Sequence, residues 1–243
     1  MFSDFDAFVY LPGDNYTYTL VQPFLAELSK TFGKDVVFIQ LIENENEEAT
    51  YPELRPKAYS DYILKHLDMR KQYVFIGSSS GTLHVSNFAH FYPGLVHTLI
   101  LIEPTIAQAH YKFLHQYEQE RGNGEWLEEL KKQDAPFLHG PASEKVIDIN
   151  VSMKHPLHFL RSIPVIIINT FYNNMKMPYT EEQIESRKSY IKWLRSKGHT
   201  VISKWFNTHH CIDTEKSMIR PLVNFIKQEL WYFLCFSHFT PHE

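Results

Sequence analysis

Short, strongly apolar runs alternate along this chain with longer stretches whose apolar residues recur at three- and four-residue spacing. The first run, 7–11, reads as a strand and ends at the turn cluster Pro12-Gly13-Asp14-Asn15. Leu20, Val21, Phe24, Leu25, Leu28 and Phe32 then recur at helical spacing, with Gly33 as a C-terminal stop. Residues 35–42 are apolar on both faces, which predicts a strand buried in a parallel sheet. An acidic surface loop covers 43–50. A helix over about 53–70 turns Tyr59, Tyr62, Ile63, Leu64 and Leu67 inward. Strand 73–76, a helix reaching Phe91, the stop Tyr92-Pro93-Gly94 and strand 96–102 follow.

The rhythm loosens over 106–162, where polar helical pieces and a stretch punctuated by Pro and Gly predict a lid or cap rather than a second domain. Strand 164–170 restores it. Thr180 and Gln183 have capping-box spacing ahead of a helix to Lys197, and Gly198 stops that helix. Strand 200–206 leads through the loop 207–213 to a final helix with Met218, Leu222, Phe225 and Ile226 inward. Strands alternating with helices predict one α/β domain over 1–243, a mostly parallel sheet with right-handed crossovers and helices on both faces. Ligand sites in such sheets lie at the C-terminal strand ends. Gly13-Asp14, Ser79 and His210 all belong there.

Composition narrows the partners. The 243 residues are ample for one sizeable core, and a net charge of −4 gives no basic face for nucleic acid. Cys211 and Cys235 form neither a disulfide framework nor a metal spacing. The acidic start, with Asp4 and Asp6, is unlike a secretory signal, and no apolar run approaches the roughly 20 residues of a membrane span. The expectation is a cytoplasmic protein without metal or organic cofactor. The run 230–236 is apolar almost throughout and follows the last helix. It is expected to dock on the body of the protein or to join a second copy, as an exposed patch of that kind marks an interface. The alternative is a helix continuing into the core.

The chemistry centres on Gly77-Ser78-Ser79-Ser80-Gly81, set between an apolar strand and a helix. Gly-x-Ser-x-Gly in that context is a nucleophile elbow. A tight turn holds the Ser79 hydroxyl clear of the sheet, and the flanking glycines leave room where strand and helix nearly touch. A phosphate-binding turn is the competing reading, but the Gly-Lys-Ser/Thr of a Walker loop is missing. A serine needs a base to take its proton, and histidine is the usual one. Of 14 histidines, His209 and His210 stand on the loop after the last strand, whereas His84, His90, His97, His155 and His158 read as surface or core-edge residues.

On these residues the chain resembles the α/β-hydrolases, from Ala7 to the last helix, without the two opening strands many members have. The resemblance implies an acyl-enzyme mechanism and two oxyanion-hole amides, one from Ser80 after the nucleophile and one from Asp14 after Leu11-Pro12-Gly13. Pro12 replaces the family's common histidine there. Thr208-His209-His210 aligns with the family's Gly-His and selects His210 as the base. The third triad member stays open between two positions: Asn173, after strand 164–170, where the family usually has Asp, and Glu103, after strand 96–102, where some members carry the acid. Glu103 is the favoured assignment. The implied activity is a serine hydrolase of esterase, lipase or thioesterase type acting on an acyl substrate, and the aromatic residues of the lid suggest an apolar one, the competing reading being that they pack in the core. The alternative is a weak or inactive member that binds ligands or serves as a scaffold.

Overall fold

A computed structural model describes residues 5–13, 16–41, 55–105, 162–172 and 178–236. Six strands form one parallel sheet, β1 (Ala7–Leu11), β2 (Asp35–Phe38), β3 (Tyr73–Ser78), β4 (Val96–Ile102), β5 (Val165–Tyr172) and β6 (Val201–His209), in the order β2-β1-β3-β4-β5-β6. Among the described residues five α-helices flank it: α1 (Tyr18–Phe32), α2 (Arg55–Leu64), α3 (Gly81–Phe91), α4 (Glu181–Ser196) and α5 (Lys216–Phe236).

The period of two along each strand sorts the core into two layers. Phe8, Tyr10, Val74, Ile76, Ile100, Ile102, Ile166 and Ile168 face one way, towards Phe24, Leu28, Leu222 and Ile226 of α1 and α5. Val9, Leu11, Phe75, Leu99, Leu101, Val165 and Ile167 face the other, towards Ile63, Val85, Phe88, Ile191 and Leu194 of α2, α3 and α4. Both faces are therefore covered, as the unbroken apolar runs in the central strands require.

The caps are those read from the sequence. Gly33 ends α1 at φ 64°, with its N–H donating to the Ser29 carbonyl. Thr180 and Gln183 close a reciprocal capping box at the start of α4, and Gly198 follows that helix at φ 89°.

Several boundaries differ from expectation: β3 runs on to Ser78 and β5 to Tyr172, and three further differences have a physical reason. β2 stops at Phe38 and its residues are only partly buried, because it is the edge strand and has a neighbour on one side only. The helix expected over 53–70 is regular only to Leu64 and ends in turns. β6 continues to His209, three residues beyond the predicted strand, because it pairs with β5 as far as Tyr172↔His209. The apolar run 230–236 is the end of α5, the alternative in which the helix continues into the core. Leu230 and Phe233 enter the core, while Trp231 and Tyr232 are exposed. Among the described residues no helix is long and apolar enough to cross a membrane. Residues 106–161 of the expected lid lie outside the described residues.

The strand order makes β1 and β3 neighbours although the chain leaves them in opposite directions across the sheet. In open α/β sheets such a reversal marks where ligands bind, outside the C-terminal strand ends. The register keeps those ends level, with Leu11 beside Gly77, Ser78 beside Ile102 and Ile102 beside Ile168.

Candidate active site

Ser79 is the first residue beyond β3. Its φ is 51°, in the left-handed region that residues with a Cβ seldom adopt. Its N–H donates to the Ile102 carbonyl at 2.9 Å, and its own carbonyl accepts from Thr82 N at 3.1 Å and from Thr82 Oγ1 at 2.5 Å. Thr82 Oγ1 in turn accepts from Thr105 N at 3.1 Å, tying the elbow to the segment leaving β4. Those bonds over-determine a conformation that costs of order 1–3 kcal/mol in isolation.

The glycines of the motif are needed for space. A Cβ on Gly77 would lie 2.6 Å from the Gly81 carbonyl oxygen, and one on Gly81 would lie 2.3 Å from the Leu11 carbonyl oxygen. Strand, turn and helix thus touch backbone to backbone. Gly13 serves the same end from β1: its Cβ would lie 2.8 Å from Ser79 Cβ. The loop after β1 therefore passes directly against the serine. Asp14 itself lies outside the described residues. Ser80 is the N-cap of α3, so the positive end of that helix's dipole adjoins Ser79.

Glu103 is the corresponding residue beyond β4, and its φ is also 51°. Its carboxylate is buried, at 1% exposure, among four donors. Oε1 accepts from the Thr170 N–H. Oε2 lies 2.9 Å from Arg187 Nη1, 3.1 Å from the Tyr179 hydroxyl and 3.0 Å from His210 Nδ1. An ionised carboxylate only accepts, so His210 presents Nδ1–H to it and keeps Nε2 as the basic nitrogen. Burial, then the nearby Glu103 charge, pushes the Tyr179 phenol well up from its ordinary value, so the hydroxyl remains a donor.

His210 follows β6 directly and is half-buried. His209 is turned elsewhere, with Nε2 3.0 Å from Glu215 Oε2. That pairing holds the Glu215 carboxyl below its usual range. Among the described residues no hydrogen bond joins Ser79 Oγ to the His210 imidazole. Asn173, the other position read as an orienting group, lies outside the described residues.

Beneath the site, Asp213 is buried and accepts from the Tyr10 hydroxyl at 2.6 Å, joining the histidine loop to β1. Burial raises its carboxyl above the ordinary range, and the Tyr10 bond opposes that rise. Tyr16 and Ser78 bring further buried hydroxyls to this cluster.

Arg187, Tyr179, Thr82, Asp213 and Tyr10 were not legible as site residues in the sequence. Arg187 carried a faint signal, as a charge on the α4 face that carries Ile191 and Leu194 inward. The Tyr10–Asp213 bond spans 203 positions of sequence and carried none.

No family model matches the sequence, and no curated protein matches it. Solved structures resemble it in fold. A carboxylesterase structure from the thaumarchaeon Nitrososphaera gargensis is 17% identical, with a TM-score of 0.59 over 92% of this chain and 90% of that one. Alpha/beta hydrolase domain-containing protein 10 from mouse is 15% identical, with a TM-score of 0.56 over 93% and 90%. The RedJ thioesterase of Streptomyces coelicolor is 13% identical, with a TM-score of 0.55 over 92% and 90%. With its parallel sheet and with neighbours matched along nearly their whole length, this chain has the α/β-hydrolase fold.

Proposed function

We propose that the protein is a serine hydrolase acting on a carboxylic ester, a thioester or a related acyl compound. One observation carries the reading. The described non-glycine residues at positive φ are Ser79 and Glu103, the two that the sequence assigns to nucleophile and acid. Strain held at adjacent strand ends is of the kind that clusters at active sites. Structural neighbours that include a thioesterase and carboxylesterases support the acyl class.

In this reading Ser79 Oγ attacks the acyl carbon while His210 Nε2 takes its proton. Glu103 holds the Nδ1–H tautomer and stabilises the imidazolium. The Ser80 and Asp14 amides receive the oxyanion. The imidazolium then protonates the leaving alkoxide or thiolate, and water activated by His210 releases the acid. A bond between Ser79 and His210 forms when substrate closes the site, since catalytic hydrogen bonds tighten in the bound complex. A second reading, a weakly active acyl-binding protein, draws on Pro12 in the loop before Asp14 and on the unformed Ser79–His210 bond.

Labelling with a fluorophosphonate probe, together with hydrolysis of chromogenic esters of graded acyl length, decides between them. The expected result is rapid labelling that Ser79→Ala abolishes, with hydrolysis reduced at least 10³-fold. A folded wild-type protein that neither labels nor hydrolyses overturns the enzyme reading. Inactivation by Ser78→Ala or Ser80→Ala but not Ser79→Ala overturns the assignment of the nucleophile.

A further inference from the structure

Glu103 Oε2 is shared. It lies 3.0 Å from His210 Nδ1 and 2.9 Å from Arg187 Nη1, so a guanidinium and an imidazole compete for one carboxylate oxygen. Arg187 is itself buried, at 8% exposure, and it is held from three sides. Beyond Glu103, Nη1 donates to Asn169 Oδ1 at 3.2 Å, and the guanidinium carbon stands 4.5 Å from the centre of the Tyr179 ring. The same Tyr179 reaches His210 Nδ1 through its hydroxyl at 3.0 Å. β5, α4 and the turn before α4 thus build a socket around the charge.

We propose that Arg187 is a positioning residue that sets the basicity of His210. It rests on the hydrolase reading only in naming His210 as the base. The physical basis is direct. A carboxylate beside an imidazole favours the imidazolium, and a fixed positive charge on the same oxygen offsets that preference. Arginine suits the task because it does not deprotonate and the two N–H groups of its Nη1 can serve Glu103 and Asn169 together. Without it, the carboxylate keeps the Thr170 N–H, the Tyr179 hydroxyl and the His210 Nδ1–H as donors. Glu103 therefore stays held by donors on both oxygens and acts on the imidazole unopposed. The other titratable groups around the ring are Asp213, Cys211, Tyr179 and the His209–Glu215 pair. Burial pushes the Cys211 thiol and the Tyr179 phenol up, so neither changes charge where histidine titrates. The rest are common to wild type and variants and cancel in the comparison.

The test is the pH titration of the His210 ring followed by NMR in the wild type and in Arg187→Gln, which keeps an N–H donor without the charge. The expected result is an upward move of the His210 midpoint by about one pH unit. The acidic limb of kcat/KM should rise in parallel, with KM within twofold. Glu103→Gln should move the midpoint the opposite way. Should Arg187→Gln fail to fold, the Glu103→Gln protein is compared with Glu103→Gln combined with Arg187→Met. The added change removes the remaining buried charge, and the midpoint should again rise by about a unit. An unmoved or lowered midpoint in a folded Arg187 variant overturns the proposal. The NMR readout needs no turnover, so a protein without hydrolase activity would sink the functional reading and leave this inference to stand or fall on the titration.

Discussion

Ser79 pays for its geometry in backbone strain, and that strain can be measured apart from catalysis. At φ 51° a Cβ is unfavourable whether the residue is serine or alanine, whereas glycine adopts the conformation freely. Ser79→Gly should therefore be more stable than Ser79→Ala by about 1 kcal/mol in urea unfolding, with both inactive. Equal stabilities would mean that the turn is relaxed. Asp213 offers a second test at this scale. Burial raises its carboxyl, so the native state binds its proton more tightly than the unfolded chain does. Its contribution to stability is fully present below the ordinary carboxylate range and is lost as pH rises through the native value. Asp213→Asn keeps an acceptor for the Tyr10 hydroxyl and cannot ionise. The variant's melting temperature relative to wild type should thus climb between pH 4 and pH 8. A constant difference across that interval would show that Asp213 ionises at no cost.

Among the elements, the join of β3 to α3 has the least spare room. Gly77→Ala and Gly81→Ala each drive a Cβ into backbone that no rotamer change can relieve. Either should destabilise by about 1–3 kcal/mol or more and displace Ser79. Gly94, in the turn after α3, has nothing within 4 Å of its built Cβ. Gly94→Ala should be neutral or stabilising by about 0.4–1 kcal/mol. Urea midpoints for the three variants check the contrast, and a Gly81→Ala protein with wild-type midpoint and activity would refute the close-contact account. These elements were also the most legible in the sequence. The elbow, the capping box at Thr180 and the stop at Gly33 are local devices, set by residues a few positions apart. β2 was over-read because an apolar run does not distinguish an edge strand from a central one; only the pairing order does. The surroundings of Glu103 were not legible because its partners, namely Thr170, Tyr179, Arg187 and His210, come from strand, turn, helix and loop much further along the chain.

On the scale of the whole molecule, the sheet needs α5 and α1 to cover the face bearing Phe8, Tyr10, Ile100 and Ile168. The end of α5 contributes unequally to that cover. Phe233 is buried in the same cluster as Phe24, Leu28 and Phe225, whereas Trp231 is 61% and Tyr232 is 46% exposed. A chain stopped before Trp231 loses Phe233 and keeps Leu230. Removing a buried phenylalanine side chain costs about 3–5 kcal/mol, a large fraction of the 5–15 kcal/mol typical of a whole domain. The truncated protein should melt well below the full chain and expose apolar surface. Trp231→Ser combined with Tyr232→Ser should change stability by about 0.5 kcal/mol or less, as exposed positions do. Phe233→Ala in the full chain separates side-chain burial from helix length and should reproduce most of the truncation's effect. If Phe233→Ala melts with the wild type while the serine pair is strongly destabilised, the face of α5 turned to the core is misassigned. The tail would then owe its stability to Trp231 and Tyr232 instead.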